Sequence, residues 1–371
     1  MRLKMNPEGL FVNLLAVALF FLLATPGLLV ACTGIILRSL DGVTVPARTM
    51  EFSFDIQSNI VVVPAGTRMT TLALNDKEEG FTYTAKYGFV GANCLDKPIV
   101  LDGVNEKGLY FGAFYFARNA VFEKLTAENR ERAISSEELG SWILSQFATV
   151  DEVQAELPKM TIVGTWIEEI NSVAPFHYTV TDPTGKSLVI EYTRDGMKVF
   201  DNKVNVVTND PTYDWHQTNL NNYIGLGPVN RDAVTVGNLE LRPFGLGSGM
   251  VGLPGDLSSP SRFVRAVAFA NTSLPAGDVD EAVFNAFHIL NAFDIPKGAV
   301  REPGDQGLTD YTIWTSVVDT RNAKYYYKTF QSQAVECIDV RRALAGLDEP
   351  ATIRMETGFT VRDRTSEVPG Q

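Results

Sequence analysis

Cysteine and histidine are both scarce in this chain of 371 residues, which contains three of each. Three histidines are too few and too widely spaced for a histidine-rich metal centre. Three cysteines are too few for the disulfide framework of a small secreted domain. We therefore expect no histidine-rich metal centre and no disulfide framework, and the sequence implies neither a metal nor an organic cofactor.

Positive charge is also low, since 32 lysine and arginine residues against 44 aspartate and glutamate residues give a net charge of −12. A surplus of this sign repels phosphate, and no dense basic stretch offsets it, so nucleic acid is not an expected partner. Hydrophobic residues make up 45% and charged residues 20% of the chain. These shares are typical of a soluble globular protein and exclude a disordered chain and a polytopic membrane protein.

The N-terminus has the pattern of a secretory signal peptide. Residues 1–31 begin with Arg2 and Lys4, continue with an apolar run over 10–24, and end on the small residue Ala31. An uncleaved membrane anchor is the alternative, but the Pro-Gly break at 26–27 shortens the continuous apolar run. The sequence thus predicts cleavage after residue 31 and a secreted or periplasmic protein, with no other membrane segment.

The position of the cut makes Cys32 the first residue of the mature chain. Residues 29–32 also fit the pattern at which bacterial lipoproteins are cut and lipidated on their cysteine. One interpretation leaves the Cys32 thiol and α-amine free, and the other blocks both. Sequence leaves a free nucleophile and a lipid-anchored binding or envelope protein as the two alternatives.

Hairpins interleaved with a few helices predict an α+β fold with layered antiparallel sheets. The predicted strands are 33–37, 43–50, 60–63, 109–116, 177–181, 188–192, 311–318 and 324–330. Capping boxes at Ser135 and Thr149 predict two helices, and two more are predicted over 262–270 and after Asp278. No internal repeat or low-complexity linker divides the chain.

Five short blocks, in order along the chain, resemble segments of the choloylglycine hydrolase and penicillin V acylase family. The blocks are 32–34 with 47–52, 105–109, 208–216, 252–263 and 325–329. The resemblance implies an N-terminal-nucleophile hydrolase fold, a four-layer αββα sandwich, and hydrolysis of a linear amide. It implies a catalytic domain over 32–356, followed by a polar tail over 357–371.

A thiol at a mature N-terminus has a base attached to it, because its own α-amine lies beside it. A model α-amine has a pKa of about 7.7–8.0, so a useful fraction is neutral near pH 7 and accepts a proton. An N-terminal amine is a recognised substitute for a histidine base. The scarcity of histidine therefore agrees with Cys32 as nucleophile.

Two charged residues, one on the second predicted strand and one directly after it, are candidates for tuning that site. Arg48, at the end of the strand, lies where a hairpin turned at 41–42 brings it beside Cys32, and its charge favours the thiolate. If the family resemblance is set aside, the alternative for Arg48 is a solvated charge at the end of a strand. Glu51 stands where most relatives have Asp, and the resemblance implies that its carboxylate holds the α-amine. Because Glu is one methylene longer, the geometry of that contact stays open.

Three further residues match the family's active site. Asn209 follows the run 204–208, where it would lie at a strand end, and is a candidate oxyanion donor. Asn119 matches the position of the second donor, where bile-salt-cleaving relatives tend to have Asn and penicillin-V-preferring relatives often Tyr. Turn chemistry is the alternative for both asparagines. Arg262 matches an arginine that stabilises charge near the scissile amide, and its alternative is a helix-surface charge.

The remaining expectations concern packing and substrate. We expect His216 to be packed or capping rather than catalytic, and Cys94 and Cys337 to be buried thiols, with a disulfide between them left open. The substrate is expected to be a small amide with a bulky apolar acyl part. Bile salts, phenoxyacetyl penicillins and N-acyl homoserine lactones all stay open. The resemblance also implies a homotetramer.

Overall fold

The computed structural model describes residues 31–71, 81–97, 99–301, 309–356, 358–359 and 361–367. All of the expected signal peptide before residue 31 lies outside the described residues, as do positions 357, 360 and 368–371 of the expected tail. No helix in the described part of the chain is long and apolar enough to cross a bilayer.

The first of two large sheets holds the N-terminal strands in its centre. It has six strands, in the spatial order β16 (Val206–Val207), β1 (Thr33–Arg38), β2 (Thr44–Phe52), β19 (Tyr311–Asp319), β20 (Lys324–Thr329) and β21 (Glu336–Asp339). Every neighbouring pair is antiparallel. Every residue of β2 and β19 is buried, so these strands form the middle of a layered structure.

The second large sheet has eight strands and packs face to face with the first. Its spatial order is β15 (Gly196–Asp201), β14 (Ser187–Thr193), β13 (Phe176–Thr181), β8 (Tyr110–Tyr115), β7 (Ile99–Asn105), β6 (Phe89–Cys94), β3 (Asn59–Val63) and β22 (Ala351–Arg354). Hydrogen bonds between side chains join the sheets, as where Ser316 of β19 donates to Asp102 of β7 at 2.7 Å.

Helices cover the outer faces of both sheets. They are α1 (Leu139–Gln146), α2 (Val150–Glu156), α3 (Tyr213–Asn219), α4 (Ser259–Thr272), α5 (Val279–Leu290) and α6 (Val340–Leu344). Helix α1 packs on β7 and β8, whereas α4 and α5 pack on β1 and α5 also on β2 and β19. The order helix, sheet, sheet, helix confirms the predicted α+β class and the four-layer sandwich.

Smaller elements complete the fold. Four two-stranded pairs are β4 (Arg68–Thr70) with β5 (Thr82–Thr84), β9 (Ala133–Ser135) with β10 (Thr161–Val163), β11 (Trp166–Ile167) with β12 (Ser172–Val173), and β17 (Val234–Val236) with β18 (Leu239–Leu241). Short 3-10 helices span Arg130–Arg132, Leu157–Lys159, Glu168–Ile170, Leu220–Tyr223, Ser248–Met250, Asn291–Phe293 and Thr365–Glu367.

Two of the three predicted caps are confirmed and one is wrong. Thr149 forms a capping box with Glu152, and Asp278 accepts the backbone N–H of Glu281. Ser135, in contrast, ends strand β9, and its hydroxyl donates to the Glu138 carboxylate at 2.6 Å. The following helix therefore begins at residue 139, because the serine pairs with a side chain instead of a free helical N–H.

Candidate functional site

Cys32 lies immediately before β1 in the interior of the protein, with only 1% of its surface exposed. Its backbone nitrogen donates to the side-chain oxygen of Asn209 at 2.7 Å. Its sulfur lies 4.0 Å from the sulfur of Met50. Burial raises the pKa of the Cys32 thiol, and the nearby charge of Arg48 opposes that rise. The resting thiol therefore keeps its proton until a base removes it.

The β1–β2 hairpin brings Arg48 to this site. The strands pair antiparallel across the Asp41-Gly42 turn, with Gly34 opposite Arg48. The sequence placed Arg48 at the end of its strand, but β2 continues to Phe52, so Arg48 lies in the middle of it. The predicted hairpin is confirmed, and the alternative of a solvated strand-end charge is wrong.

The guanidinium of Arg48 is fully buried between the two sheets. It donates to the carbonyls of Thr49 at 3.2 Å and Leu101 at 3.4 Å, and also to that of Ala113. Its Cζ atom lies 4.2 Å from the centre of the Phe114 ring and 5.4 Å from Trp314. These contacts hold a permanent positive charge close to a thiol that burial alone would keep neutral.

Arg262 and Asn209 meet at the backbone of Cys32. The Arg262 guanidinium, at 2% exposure, donates to the Cys32 carbonyl, to the Thr33 hydroxyl at 2.9 Å and to the Asn209 side-chain oxygen at 2.7 Å. The Asn209 side-chain nitrogen donates to the carbonyl of Tyr115 at 2.9 Å. Arg262 lies in the first turn of α4, and its alternative as a helix-surface charge is wrong because the side chain is buried.

Glu51 is buried on β2, three residues after Arg48, with 1% of its surface exposed. Its two carboxyl oxygens accept from the hydroxyl of Thr49 at 3.1 Å and that of Thr312 at 2.7 Å. The nitrogen of Cys32, a peptide nitrogen while Ala31 is attached, bonds to Asn209 and not to this carboxylate. Burial raises the pKa of Glu51 to about 8, so its carboxyl is mostly protonated at neutral pH.

Asn119 lies in the loop after β8. Its side-chain nitrogen donates to the Asp210 carboxylate at 2.7 Å, and its backbone nitrogen donates to the carbonyl of Phe116 at 3.2 Å. The structure brings Cys32, Asn209 and Arg262 into direct contact. It places Asn119 in the wall of a cavity that Asn209 and Arg262 also line.

Two cavities lie near the nucleophile. One is an apolar pocket that Cys32 itself lines, between the two sheets. Its other lining residues are Met50, Phe52, Ile56, Cys94, Leu95, Ile99, Leu101, Ala113, Tyr115, Ile167, Ile170, Ala174 and Phe176. The second is more polar and is lined by Ala31, Arg118, Asn119, Asn209 and Arg262 among others.

Some residues at the site were missed from the sequence. Met50 follows Arg48 by two positions on the same strand, so the strand periodicity could have placed it on the same face. Thr312 reaches Glu51 because β19 pairs with β2, with Thr312 opposite Glu51. Nothing in the local sequence specifies that pairing, since 261 residues separate the two side chains.

The predictions for the remaining histidine and cysteines have mixed outcomes. His216 is packed, as predicted, with 2% exposure and its ring stacked on Phe263 at 4.4 Å. All three cysteines are free, so Cys94 and Cys337 form no disulfide. Cys94 is buried as predicted, but Cys337 is exposed because it lies on the edge strand β21.

Known proteins are similar to this chain in sequence and in fold. The model of the linear amide C–N hydrolases, choloylglycine hydrolase family, matches residues 32–352. The bile salt hydrolase/transferase of Clostridium perfringens is 33% identical over 314 residues, covering 84% of this chain and 93% of that protein. The penicillin V acylase of Pectobacterium atrosepticum is 27% identical over 318 residues, covering 80% and 77%.

A solved structure is also similar to this chain in fold. The crystal structure of a mutant conjugated bile acid hydrolase from Clostridium perfringens has a TM-score of 0.80 and 30% identity, and it covers 90% of this chain and 99% of that one. The match therefore includes both sheets and the helices on their outer faces. With the family model and these relatives, it shows that the chain belongs to the choloylglycine hydrolase family of linear amide carbon–nitrogen hydrolases.

Proposed function

We propose that the mature chain begins at Cys32 and hydrolyses an N-acyl amide through a thioester on that residue. The observation that supports this proposal most directly is at Asn209. Its side-chain oxygen accepts one hydrogen bond from the Cys32 nitrogen and one from the Arg262 guanidinium, each at 2.7 Å. After cleavage this nitrogen is the α-amine, held next to its own thiol. Its lone pair accepts the thiol proton as the sulfur attacks the substrate carbonyl carbon.

The tetrahedral intermediate then collapses: the protonated amine gives its proton to the leaving nitrogen, the carbon–nitrogen bond breaks, and the acyl group remains on sulfur as a thioester. In a second addition, water attacks the thioester while the same amine takes a proton from it. The carbon–sulfur bond then breaks, the acid leaves, and the amine returns this proton to the Cys32 sulfur. The amine and thiol end in their starting protonation states, so the cycle needs no cofactor.

Asn209 and Asn119 are the proposed oxyanion donors. Each amide nitrogen carries two hydrogens and uses one of them, on the carbonyl of Tyr115 and the carboxylate of Asp210 respectively. The second hydrogen of each is available to a substrate oxygen. Arg262 supports this role, because its charge on the Asn209 oxygen polarises the amide and makes its N–H groups better donors.

The pockets support an orientation of the substrate. The pocket between the sheets is apolar and suits a bulky acyl group, as in bile salts, phenoxyacetyl penicillins and N-acyl homoserine lactones. The polar pocket is lined by Ala31, so removal of residue 31 would leave space for the amine product beside Arg118. Bile-salt conjugates are the first candidate, since Asn119 stands at the position that favours them among relatives.

Secretion to the periplasm, or out of the cell, follows from the proposed removal of residues 1–31. A free Cys32 is favoured over the lipid-anchored alternative by its burial, since a lipidated sulfur would have to leave the interior where 1% of the residue is exposed. The family model also begins its match at residue 32. Lipidation would remove both nucleophile and base, and would leave the contacts of Arg262 without a chemical role.

Self-association into a homotetramer is proposed from the resemblance and from one exposed arm. The arm spans 224–251, contains the β17–β18 hairpin, and carries exposed apolar residues along its length. They are Ile224, Val229, Val234, Val236, Leu239, Leu241, Phe244, Leu246 and Val251. Contiguous exposed apolar residues favour an interface. Light scattering of the wild type and a Val236→Asp, Leu239→Asp double variant tests this, with loss of the tetramer expected.

The enzymatic proposal is tested with purified mature protein and a panel of glycocholate, penicillin V and an N-acyl homoserine lactone. We expect turnover of at least one and, by mass spectrometry of quenched reactions, an acyl group on Cys32. Cys32→Ser should lose turnover while keeping the fold. Absence of turnover for all three classes by a chain that begins at residue 32 would contradict the proposal, and an acyl-chain mass on Cys32 before substrate is added would favour the anchor.

A further inference from the structure

Two buried imidazoles flank the peptide groups that carry Asn209. The Nε2 atom of His177 lies 2.9 Å from the carbonyl oxygen of Thr208, and the Nε2 atom of His216 lies 2.9 Å from that of Asn209. Each histidine has 2% of its surface exposed. Neither touches the cavities around Cys32, so neither is placed to exchange protons with a substrate.

Each ring is fixed by stacking on an aromatic residue of a different segment. His177 stacks on Phe116 and His216 on Phe263, in both cases at 4.4 Å between centres and 10° between planes. Phe263 directly follows Arg262 in the chain. The stacked pairs thus connect the backbone of Asn209 to the segments that supply its side-chain partners.

The hydrogen bond from His216 has a defined direction. A carbonyl oxygen only accepts, so Nε2 must carry the hydrogen. The Nδ1 atom of His216 is buried without a hydrogen-bond partner among the described residues, which agrees with a neutral ring that has a single N–H. Burial lowers the pKa of His216 to about 4, so the ring stays neutral at physiological pH.

The backbone of Thr208 and Asn209 lies beyond the end of a strand, where the sheet supplies no hydrogen bonds to their carbonyls. Strand β16 ends at Val207, two residues before Asn209, and pairs with β1 only through Val206 and Val207. The carbonyls of Thr208 and Asn209 therefore lie beyond the last paired residue of the sheet. The two imidazoles bind the carbonyls that the sheet leaves unpaired.

We propose that His216, together with His177, is a positioning residue that fixes the backbone of Asn209 so that its side chain meets both Cys32 and the substrate oxyanion. This inference rests on the proposed function, because it assigns the reaction step that the two histidines serve. It does not make either histidine a base. Loss of the hydrogen bond should lower kcat and leave KM almost unchanged, because the oxyanion forms only after the substrate has bound.

The test compares His216→Gln with His216→Met in the mature enzyme. Gln can place its Nε2–H near the imidazole Nε2, whereas Met fills similar volume without a donor. We expect kcat to fall about tenfold or more in the Met variant, since displacement of an active-site group by about 1 Å can cost 10²-fold. KM should change less than about twofold, and the Gln variant should recover most of the loss. The matched control is His288→Met on the exposed face of α5, for which we expect wild-type kinetics.

A kcat of the Met variant equal to that of the wild type would overturn the inference. Equal losses in the Gln and Met variants would also overturn it, because the loss of the stacked ring and not of the hydrogen bond would then account for the effect. A second measurement uses the wild type alone, so it does not depend on how any variant folds. Nitrogen-15 NMR of labelled histidine should show His216 as the neutral Nε2–H tautomer near pH 7, and an Nδ1–H tautomer would refute the bond.

Failure of this inference can be told apart from failure of the proposed function. If the wild type cleaves no amide of the panel, the proposed function fails, while the tautomer of His216 still reports whether the bond to Asn209 exists. If the wild type cleaves an amide and the Met variant does so equally well, the proposed function stands and only the positioning role is lost.

Discussion

The side-chain oxygen of Asn209 lies 2.7 Å from the nitrogen of Cys32 and 2.7 Å from the Nη2 atom of Arg262. One amide oxygen therefore accepts from the proposed base of the reaction and from a buried cation. The residues that meet here are 177 and 53 positions apart in the chain. These residues meet because β16 pairs with β1 within the sheet and α4 packs on β1.

Asn209→Asp separates the two functions of this amide. The carboxylate keeps an oxygen for Cys32 and Arg262 but loses the Nδ2–H donor. We expect kcat to fall about 10²–10³-fold, the cost of one oxyanion donor, with the fold retained. Steady-state kinetics and the melting temperature measure this, with Asn221→Asp on an exposed site as control. A loss below about threefold would show that the amide is not an oxyanion donor.

Arg48→Met tests how the buried cation affects the thiol. The charge of Arg48 lowers the pKa of Cys32 against the effect of burial, so its removal should raise that pKa further. We expect slower alkylation of Cys32 by iodoacetamide at any fixed pH and a midpoint shifted to higher pH. Peptide mass spectrometry follows Cys32 separately from the other two thiols.

The control for that experiment is Arg38→Met, on the exposed end of β1, with the melting temperature of both variants recorded. An unchanged alkylation profile in Arg48→Met would mean that the guanidinium acts only as a packing element between the sheets.

Hairpins were predicted well because their signals are local. The turn at Asp182–Gly185 and the alternating residues around it specify the β13–β14 pair without knowledge of the rest of the chain. The β19–β20 pair was found in the same way. The pairing of β19 with β2 was not, because two buried strands separated by more than 250 residues carry no mark of their partner.

Glu51→Gln should change how stability depends on pH. The folded-state pKa is about 8, above the usual value of 4.5, so the folded protein holds this proton more tightly than the unfolded chain does. Stability from this group is fully present below pH 4.5 and is lost as pH rises towards 8. At about 1.4 kcal/mol per pH unit, the wild type should lose about 3 kcal/mol relative to the variant between pH 4.5 and 7.

Urea unfolding of both proteins at pH 5 and pH 7.5 measures this difference. Glu349→Gln, at an exposed position, is the control for removing a carboxylate of the same kind. A difference in unfolding free energy that stays constant over this range would show that Glu51 is ionised throughout, and that its carboxylate has a counter-charge that the contacts with Thr49 and Thr312 do not supply.

Ile170→Trp tests the acyl pocket. Ile170 is half-buried in its wall, and the larger ring takes space that a bulky acyl group would fill. We expect kcat/KM for the best bulky substrate to fall about tenfold or more, and that for a short-chain N-acetyl analogue to fall less. The control is Leu274→Trp, at an exposed position outside both this pocket and the arm over 224–251. Equal losses on both substrates would place the acyl group elsewhere.

The site itself could be predicted only in part from the sequence. A thiol directly after a predicted signal peptide favours a nucleophile with its own amine, and the hairpin explains why Arg48 is close. The partners of Glu51 and the burial of Arg262 depend on long-range packing, which one sequence does not specify. The family resemblance supplied Asn119 and Arg262, and the structure then showed that the amide of Asn119 donates to Asp210.

The central claim is that the α-amine of Cys32 is the base, and one pair of proteins tests it directly. A chain that begins with Met before Cys32 turns this amine into a peptide nitrogen, which accepts no proton. It should fold normally, because the structure accommodates Ala31 at that position, in the wall of the polar pocket. The measurement is kcat/KM on the best panel substrate before and after removal of the Met by an aminopeptidase. The account predicts that the Met-bearing form is inactive and that removal restores activity, whereas full activity of the Met-bearing form would contradict it.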